Sequence, residues 1–191
     1  MKYLLGATAS LLGYSMTADQ LDQFTAGYIN GFTGHNDLDQ IKTCLTNQDQ
    51  LEADLNKALT DLHGGTIGDL LHGVEEMGHV MWELPSDMSG CSGGTVKADL
   101  AEIHNWATSF LNPITLMTAL TKNLAENFND IMDTMGQFQD NYTKGDFYNA
   151  GNDISEVMTD ALGKPSAASG KNEFEEELTS WMNAELPKLK L

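Results

Sequence analysis

The sequence predicts an all-α protein: a bundle of six to seven mostly antiparallel amphipathic helices with one disulfide. Apolar residues recur at three- and four-residue spacing along most of the chain, and no stretch shows the alternating pattern of a strand. Connections between the predicted helices are short, which favours antiparallel neighbours. With 191 residues, 41% of them hydrophobic, the chain is long enough for one domain with a substantial core.

Residues 1–15 have the features of a secretory signal peptide. Lys2 supplies a minimal positive start, residues 3–12 form a short apolar segment, and the small residues Gly13 and Ser15 predict cleavage after Ser15. Ten or so apolar positions are too few to cross a bilayer, so the segment predicts export to the extracellular space without a membrane anchor. The alternative is an ordinary first helix.

Two helices are predicted at the start of a bundle domain that covers residues 16–163. The sequence T-A-D-Q beginning at Thr17 is a capping-box pattern that opens the first helix, and Gly31 and Gly34 are predicted to end it. Asp37 then caps a second, long helix that extends to about His63. The apolar stripe of this second helix, interrupted at Gln48, is Leu38, Ile41, Leu45, Leu51, Leu55, Leu59 and Leu62.

The middle of the chain predicts two further helices. The third begins at Thr66 and ends at Leu84, because Pro85 is expected to stop it. The fourth begins at Thr95 and ends before a tight break at residues 112–113.

The segment from Asn112 to Phe138 predicts the longest helix. Asn112 is a good N-cap and Pro113 a good first residue, because the fixed φ of proline suits the first turn. About 26 residues at 1.5 Å each make a rod of about 39 Å. Asn123 and Asn127 either fix its register through hydrogen bonds to a neighbour or face solvent. The residues expected to face inward are Met117, Leu120, Leu124, Phe128, Ile131, Met135 and Phe138.

A further helix is predicted from Asp146 to Leu162, after a polar turn at residues 140–144. Gly151 in its middle costs about 1 kcal/mol relative to alanine, unless it allows another helix to come close. Asn141 begins the sequence Asn-Tyr-Thr, an N-glycosylation sequon, so an N-linked glycan is predicted in the turn.

The C-terminal part of the sequence predicts a tethered helix. Residues 164–172 are small and polar with a proline, as in a linker, and about ten such residues reach roughly 30 Å. Residues 173–191 predict an amphipathic helix and tail. Its apolar face is predicted to mediate assembly and carries Phe174, Leu178 and Trp181.

Charge narrows the range of partners. Ten lysines and no arginine stand against 28 acidic residues, for a formal charge of −18. Nucleic acid is therefore not expected as a partner, since phosphate binding needs a positive field, and adhesion to anionic membranes is disfavoured for the same reason. The acidity favours either simple solubility or the binding of cations or a basic partner.

The two cysteines, Cys44 and Cys91, predict one disulfide in an exported chain; the alternative is two buried thiols. The bridge would close a loop of about 48 residues, which the chain-entropy relation values at about 4 kcal/mol. The glycine-rich sequence after Cys91 has no local base, so no catalytic nucleophile is predicted there.

His72, Glu76 and His79 are the strongest metal-ligand pattern, with Asp69 and Glu83 on the same helical face. The two histidines are about 10.5 Å apart along the axis, too far to share one ion on a straight helix. A solvated amphipathic face is the favoured interpretation. No metal, cofactor or catalytic residue is predicted, and a metal-dependent hydrolase is the least favoured function.

The chain resembles small secreted helical proteins with two cysteines from ciliates and other protists. The resemblance covers roughly residues 20–163 and implies a secreted all-α protein of a microbial eukaryote, without implying any catalytic residue. The residues that carry it are Phe24-x-x-Gly27, Cys44, Cys91, Trp106, Asn112-Pro113, Asn123-Leu124-x-x-Asn127, Gly145-Asp146-Phe147 and Ala150-Gly151.

Two functions are expected from these features. The first is a non-enzymatic secreted structural protein that self-associates into an oligomer or polymer, as the subunit of an extracellular fibre or matrix. The second is a soluble carrier that binds a lipid or another apolar ligand within the bundle, since ten methionines would allow an adaptable cavity.

Overall fold

A computed structural model describes residues 14–45, 48–64 and 66–165. The predicted C-terminal helix at 173–191 and most of the predicted signal peptide lie outside the described residues. The all-α class is confirmed, because the described residues form seven α-helices and no strand. The helices are α1 Ala18–Thr33, α2 Leu38–Cys44, α3 Gln48–Leu62, α4 Ile67–Asp87, α5 Gly94–Thr108, α6 Pro113–Lys144 and α7 Phe147–Leu162.

The helices pack as two groups that share one hydrophobic core. In the first group α7 lies between α1 and α6, and in the second α4 lies between α3 and α5. The short helix α2 contacts α1 and α5, so it connects the two groups. None of the helices within the described residues is both long and apolar enough to cross a membrane.

Helix α1 starts where its sequence predicts and ends at Gly34, whereas Gly31, also predicted to end it, lies inside the helix. The Thr17 hydroxyl accepts from the Gln20 amide, and the Thr17 amide donates to the Gln20 side chain at 2.8 Å. Gly34 ends the helix in the left-handed region at φ 77°, where glycine has no Cβ to clash. The capping box therefore sets one end and the glycine sets the other.

The predicted second helix, from Asp37 to His63, is wrong as a single element. Its residues form α2 and α3, and Leu45 between them is extended at φ −71° and ψ 110°. The apolar spacing explains the break, because the step from Leu45 to Leu51 is six residues rather than three or four. The two pieces consequently bury their stripes against different partners, α2 against α1 and α5 and α3 against α4.

Helix α4 continues past its predicted end at Leu84 and includes Pro85 in its last turn. The hydrogen-bond ladder resumes beyond the proline, since the Met88 amide donates to the Leu84 carbonyl at 2.9 Å. One turn earlier, His104 Nδ1 of α5 donates to the Trp82 carbonyl at 2.7 Å. Packing against α3 and α5 therefore holds the helix through the proline.

Helix α6 is longer than predicted. Asn112 caps it through a bond from the Ile114 amide at 2.9 Å, and it ends at Gly145, which has φ 80°. Its 32 residues span about 48 Å. The predicted polar turn at 140–144 is therefore wrong: these residues are the last helical turn, and the left-handed glycine ends the helix one residue later.

Asn123 and Asn127 fix α6 against α7. Asn123 Nδ2 donates to the Ala161 carbonyl at 3.2 Å, and Asn127 Nδ2 donates to the Asp160 carbonyl at 3.0 Å. Both acceptors lie in the last turn of α7, where helical carbonyls have no intrahelical partner. Of the two interpretations from sequence, the structure supports register fixing over solvent-facing side chains.

Candidate association surface and polar sites

The predicted disulfide between Cys44 and Cys91 is confirmed. Their Cα atoms lie 4.8 Å apart, and the bridge joins the last residue of α2 to the loop after α4. Cys91 is buried and Cys44 is half-buried against the core. The bridge therefore fastens the connecting helix α2 to the α3–α4–α5 group.

Asn141 of the predicted sequon lies in the last turn of α6 and is half-buried. Its Nδ2 donates to Asp153 Oδ2 of α7 at 2.7 Å. Burial raises the pKa of Asp153, and this hydrogen bond partly opposes the rise. A glycan on Nδ2 would leave one N–H to donate, so the contact is compatible with the modification, which stays a prediction.

The residues of the histidine pattern on α4 have separate surroundings. Glu76 binds the Lys57 ammonium at 2.7 Å, and His72 Nδ1 lies 3.8 Å from Glu76 and 3.9 Å from Asp61. His79 instead lines a cleft of about 60 Å³ between α4, α5, α6 and α7. The Lys57 charge already neutralises Glu76, the carboxylate of the predicted pattern.

A buried polar cluster joins the end of α1, the start of α2 and α5, and sequence reasoning missed it. Asp37, predicted only as a cap, makes no side-chain bond to the backbone of its own helix; its Oδ1 accepts from the Gln40 side chain at 3.4 Å and from the Thr95 hydroxyl. Its buried Oδ2 accepts no hydrogen bond from the described residues. Burial, followed by the neighbouring Asp37 side chain, raises the pKa of Asp99.

His35 covers this carboxyl pair from the solvent side. Its Nδ1 lies 3.0 Å from Asp99 Oδ1, and the contact raises the pKa of His35. No sequence signal points to the pair, because Asp37 and Asp99 belong to different helices far apart in the chain.

The largest exposed apolar feature of the described chain is one face of α6. We call it the α6 stripe; its uncharged residues follow one another at helical spacing over about 33 Å. The stripe consists of Ile114, Met117, Thr121, Ala125, Phe128, Met132 and Gly136. Ile114 is 70% exposed, Met117 52%, Phe128 38% and Met132 47%. Met117 and Phe128 were predicted to face inward, so this part of the inward set is wrong.

The reason for this exposure is that α6 packs against few neighbours. It lies along α7 and touches a 3-10 turn at Ser109–Leu111, and these contacts cover only the side that carries Leu120, Ile131 and Phe138. The acidic side chains of α6, such as Asp133, project from a third face. An uncharged apolar stripe therefore lies exposed on a chain whose formal charge is −18.

The described chain ends level with the middle of α6. The last turn of α7 is hydrogen-bonded to Asn123 and Asn127, near the middle of α6. Leu162, the last residue of α7, lines the same cleft as Leu116 of α6. At 100° per residue these α6 positions lie on the side of the helix opposite the stripe, so the predicted linker at 164–172 begins level with the middle of the stripe and must pass around α6 to reach it.

Comparisons with known proteins identify a family. No curated protein and no solved structure matches the chain. A family model described as secreted protein B-like matches residues 6–162, which include both cysteines and all seven described helices and stop before the predicted linker. The match supports export from the cell, and the protist origin implied by the earlier resemblance stays a prediction. The chain therefore belongs to the SctB-like family of secreted proteins.

Proposed function

We propose that this protein is a non-enzymatic, secreted structural protein that self-associates as the subunit of an extracellular fibre or matrix. The observation that carries the proposal is the exposed, uncharged α6 stripe. Exposed apolar patches of this extent in soluble proteins mark sites of interaction. The partner that we propose for the stripe is the C-terminal segment, residues 173–191, of a second copy.

The sequence of that segment suits the stripe. Phe174, Leu178 and Trp181 share one face at helical spacing, and aromatic side chains of this kind are common binding anchors. A helix over residues 173–186 would be about 21 Å long, shorter than the stripe. The family match ends at residue 162, so this segment is an addition to the matched bundle.

Exchange of the segment between copies gives an open assembly. Each copy would offer one stripe and one C-terminal segment, so each contact would join two different surfaces, and contacts of this type build filaments when they do not close into rings. Docking onto the stripe of the same copy is also within reach of a linker of about 30 Å. That intramolecular arrangement would give monomers, so a measurement of particle size distinguishes docking on the same copy from docking on a second copy.

The carrier function has less support. The cleft lined by His79, Leu116 and Leu162 holds about 60 Å³. Pockets for small organic ligands hold about 300–1,000 Å³, and a lipid chain would need a space of that order. Native mass spectrometry of the secreted protein would reveal a co-purified ligand, and a monomer carrying one would favour the carrier instead.

The test is the particle size of the purified secreted protein with and without residues 164–191, measured by light scattering and electron microscopy. We expect the full chain to form large particles or filaments and the deleted chain to remain a folded monomer, with an unchanged helical circular dichroism spectrum. Assembly of the deleted chain to the same size would overturn the role of the C-terminal segment. A monomeric full chain at every concentration would overturn self-association itself.

A further inference from the structure

Three carboxylates meet where α3 packs against the end of α4. Asp54 comes from α3, and Glu83 and Asp87 come from the last two turns of α4. One carboxylate oxygen from each residue lies within 4.8 Å of the others. The arrangement depends on the continuation of α4 through Pro85, because only an unbroken helix places Glu83 and Asp87 on the same face, one turn apart.

Asp87 is the unusual member of this group. Its exposure is 8%, and among the described residues no hydrogen-bond donor or ammonium group reaches its carboxylate, which faces Asp54 and Glu83. Burial, followed by the charges of Asp54 and Glu83, raises the pKa of Asp87. A buried carboxylate without a partner is costly, so this position calls for a proton or a cation.

Within the described residues, the surroundings supply no unpaired cation. Lys57, one turn along α3 from Asp54, is paired with Glu76 at 2.7 Å. Asp54 accepts from the neutral Gln50 amide at 2.8 Å, which adds no charge. The carbonyl end of α4 adds further negative potential, because helix dipoles are negative at their C-termini.

We propose that Asp54, Glu83 and Asp87 form a binding site for a calcium ion. The site offers only carboxylate oxygens, and oxygen donors select hard cations over zinc or copper. Three carboxylates can supply up to six oxygens, and Ca²⁺ accepts bidentate carboxylates and irregular geometry, whereas Mg²⁺ requires a near-ideal octahedron. Glu83 is exposed, so water can complete the coordination from the solvent side.

A bound ion would join α3 to the last turn of α4, four residues before the disulfide-linked Cys91. It would thus fix the end of the helix that contains Pro85. Calcium sites in extracellular modules work with dissociation constants of about 0.1–1 mM, which suits a site of three ligands in a secreted protein. The site does not depend on self-association, since the α6 stripe lies on a different helix.

The experiment is calcium titration of the chelator-treated full chain, followed by isothermal calorimetry and by the thermal unfolding midpoint at constant ionic strength. The ligand variants are Asp87→Asn and Glu83→Gln. The matched controls are Asp133→Asn and Glu126→Gln, which remove one exposed acidic charge each from α6. Magnesium at the same concentrations tests selectivity.

We expect one saturable calcium site and a midpoint that rises with calcium in the wild type and in both controls. Asp87→Asn should weaken calcium binding at least tenfold, yet raise the midpoint in the absence of calcium because it removes a buried charge. Weaker calcium binding together with a higher midpoint in the absence of calcium would show that the variant has lost the site and not its fold. An equal calcium response in Asp87→Asn and in the controls, or no saturable binding below about 10 mM calcium, would overturn the site.

Discussion

Gly151 of α7 lies so close to α1 that a Cβ added to it would stand 2.0 Å from the Phe24 carbonyl oxygen. Gly27 of α1 has the reciprocal position, where a Cβ would stand 1.8 Å from the Tyr148 carbonyl oxygen. The two helices therefore approach to a distance that only glycine permits. This close contact offsets the helix-propensity cost of Gly151. The sequence predicts that the glycine is unfavourable unless it allows another helix to come close.

Replacement of Gly27 by alanine should destabilise the fold. The added methyl group meets rigid backbone rather than a flexible side chain, so we expect a loss of about 1–3 kcal/mol despite the better helix propensity of alanine. The matched control is Gly78→Ala in α4, where a Cβ meets nothing within 4 Å and which should be neutral or stabilising by up to about 1 kcal/mol. Urea unfolding measures both, and equal stability of the two variants would contradict the close contact.

Removal of the disulfide should lower the free energy of unfolding by about 4 kcal/mol, because the bridge restricts a loop of about 48 residues in the unfolded chain. The paired variant Cys44→Ser with Cys91→Ser avoids a lone thiol. Denaturant unfolding of this variant and of the wild type, with and without reductant, gives the difference. If reductant lowers the free energy of unfolding of the wild type but the paired substitution does not, the stabilising role of the Cys44–Cys91 bridge is contradicted.

Stability should fall as the pH rises above about 4, the ordinary pKa of an aspartate, and fall further above about 6.5, the ordinary pKa of a histidine. Burial raises the folded pKa of Asp99 above 3.8, so its stabilising contribution is greatest at low pH and is lost as the pH rises through the folded pKa. Asp22, Asp87 and Asp153 shift in the same direction, each chiefly through burial. The contact with Asp99 raises the pKa of His35 above 6.5, and its contribution is likewise lost as the pH rises.

The pH dependence is measured as the thermal midpoint across this range. The variant Asp99→Asn should flatten the curve, since it removes a carboxyl with a raised pKa that also binds His35. The control Asp133→Asn removes an exposed charge and should keep the slope. A wild-type midpoint that rises between pH 5 and pH 7.5 would show that the sign is wrong.

The predicted cleavage after Ser15 would change the contact between Met16 and Glu52. Cleavage after Ser15 would leave the amino group of Met16 as the N-terminus, and its nitrogen lies 3.0 Å from Glu52 Oε1. The amide hydrogen bond would then become an ion pair, so Glu52→Gln should destabilise the secreted protein by about 1–3 kcal/mol. N-terminal sequencing and thermal unfolding test this expectation.

A mature chain that starts earlier would contradict the predicted cleavage site. It would keep Tyr14, whose ring lies 5.6 Å from that of Phe138 and whose hydroxyl accepts from Gln139 Nε2 at 2.5 Å. In that case Tyr14→Ala would destabilise the secreted protein, and Glu52→Gln would have only a small effect.

Much of the fold could be predicted because local signals mark the helix ends. Thr17, Asn112 and Gly34 each act through the backbone conformation or hydrogen bond that they supply, and such effects are visible in a few consecutive residues. Pro85 misled the prediction because tertiary packing can hold a helix through a proline at moderate cost. The two carboxylate clusters were not predicted because they also depend on tertiary packing. The pairing of Asp37 with Asp99, and of Asp54 with Asp87, depends on which helices become neighbours.

The α6 stripe shows the limit of periodicity. Met117 and Phe128 fit the apolar spacing of α6, and spacing identifies an apolar side of a helix without identifying what covers it. Two neighbours, α7 and the 3-10 turn, cover part of that side. The uncovered part is the surface on which the proposed function depends.

The most direct test is the assembly state of a variant with Met117→Glu and Met132→Glu on the α6 stripe. Its control carries Asn129→Glu and Gln137→Glu, which add the same charge at exposed positions of α6 outside the stripe. We predict that the stripe variant is a folded monomer by light scattering and that the control assembles like the wild type. Assembly of the stripe variant to wild-type size would contradict the proposal that this surface joins the subunits.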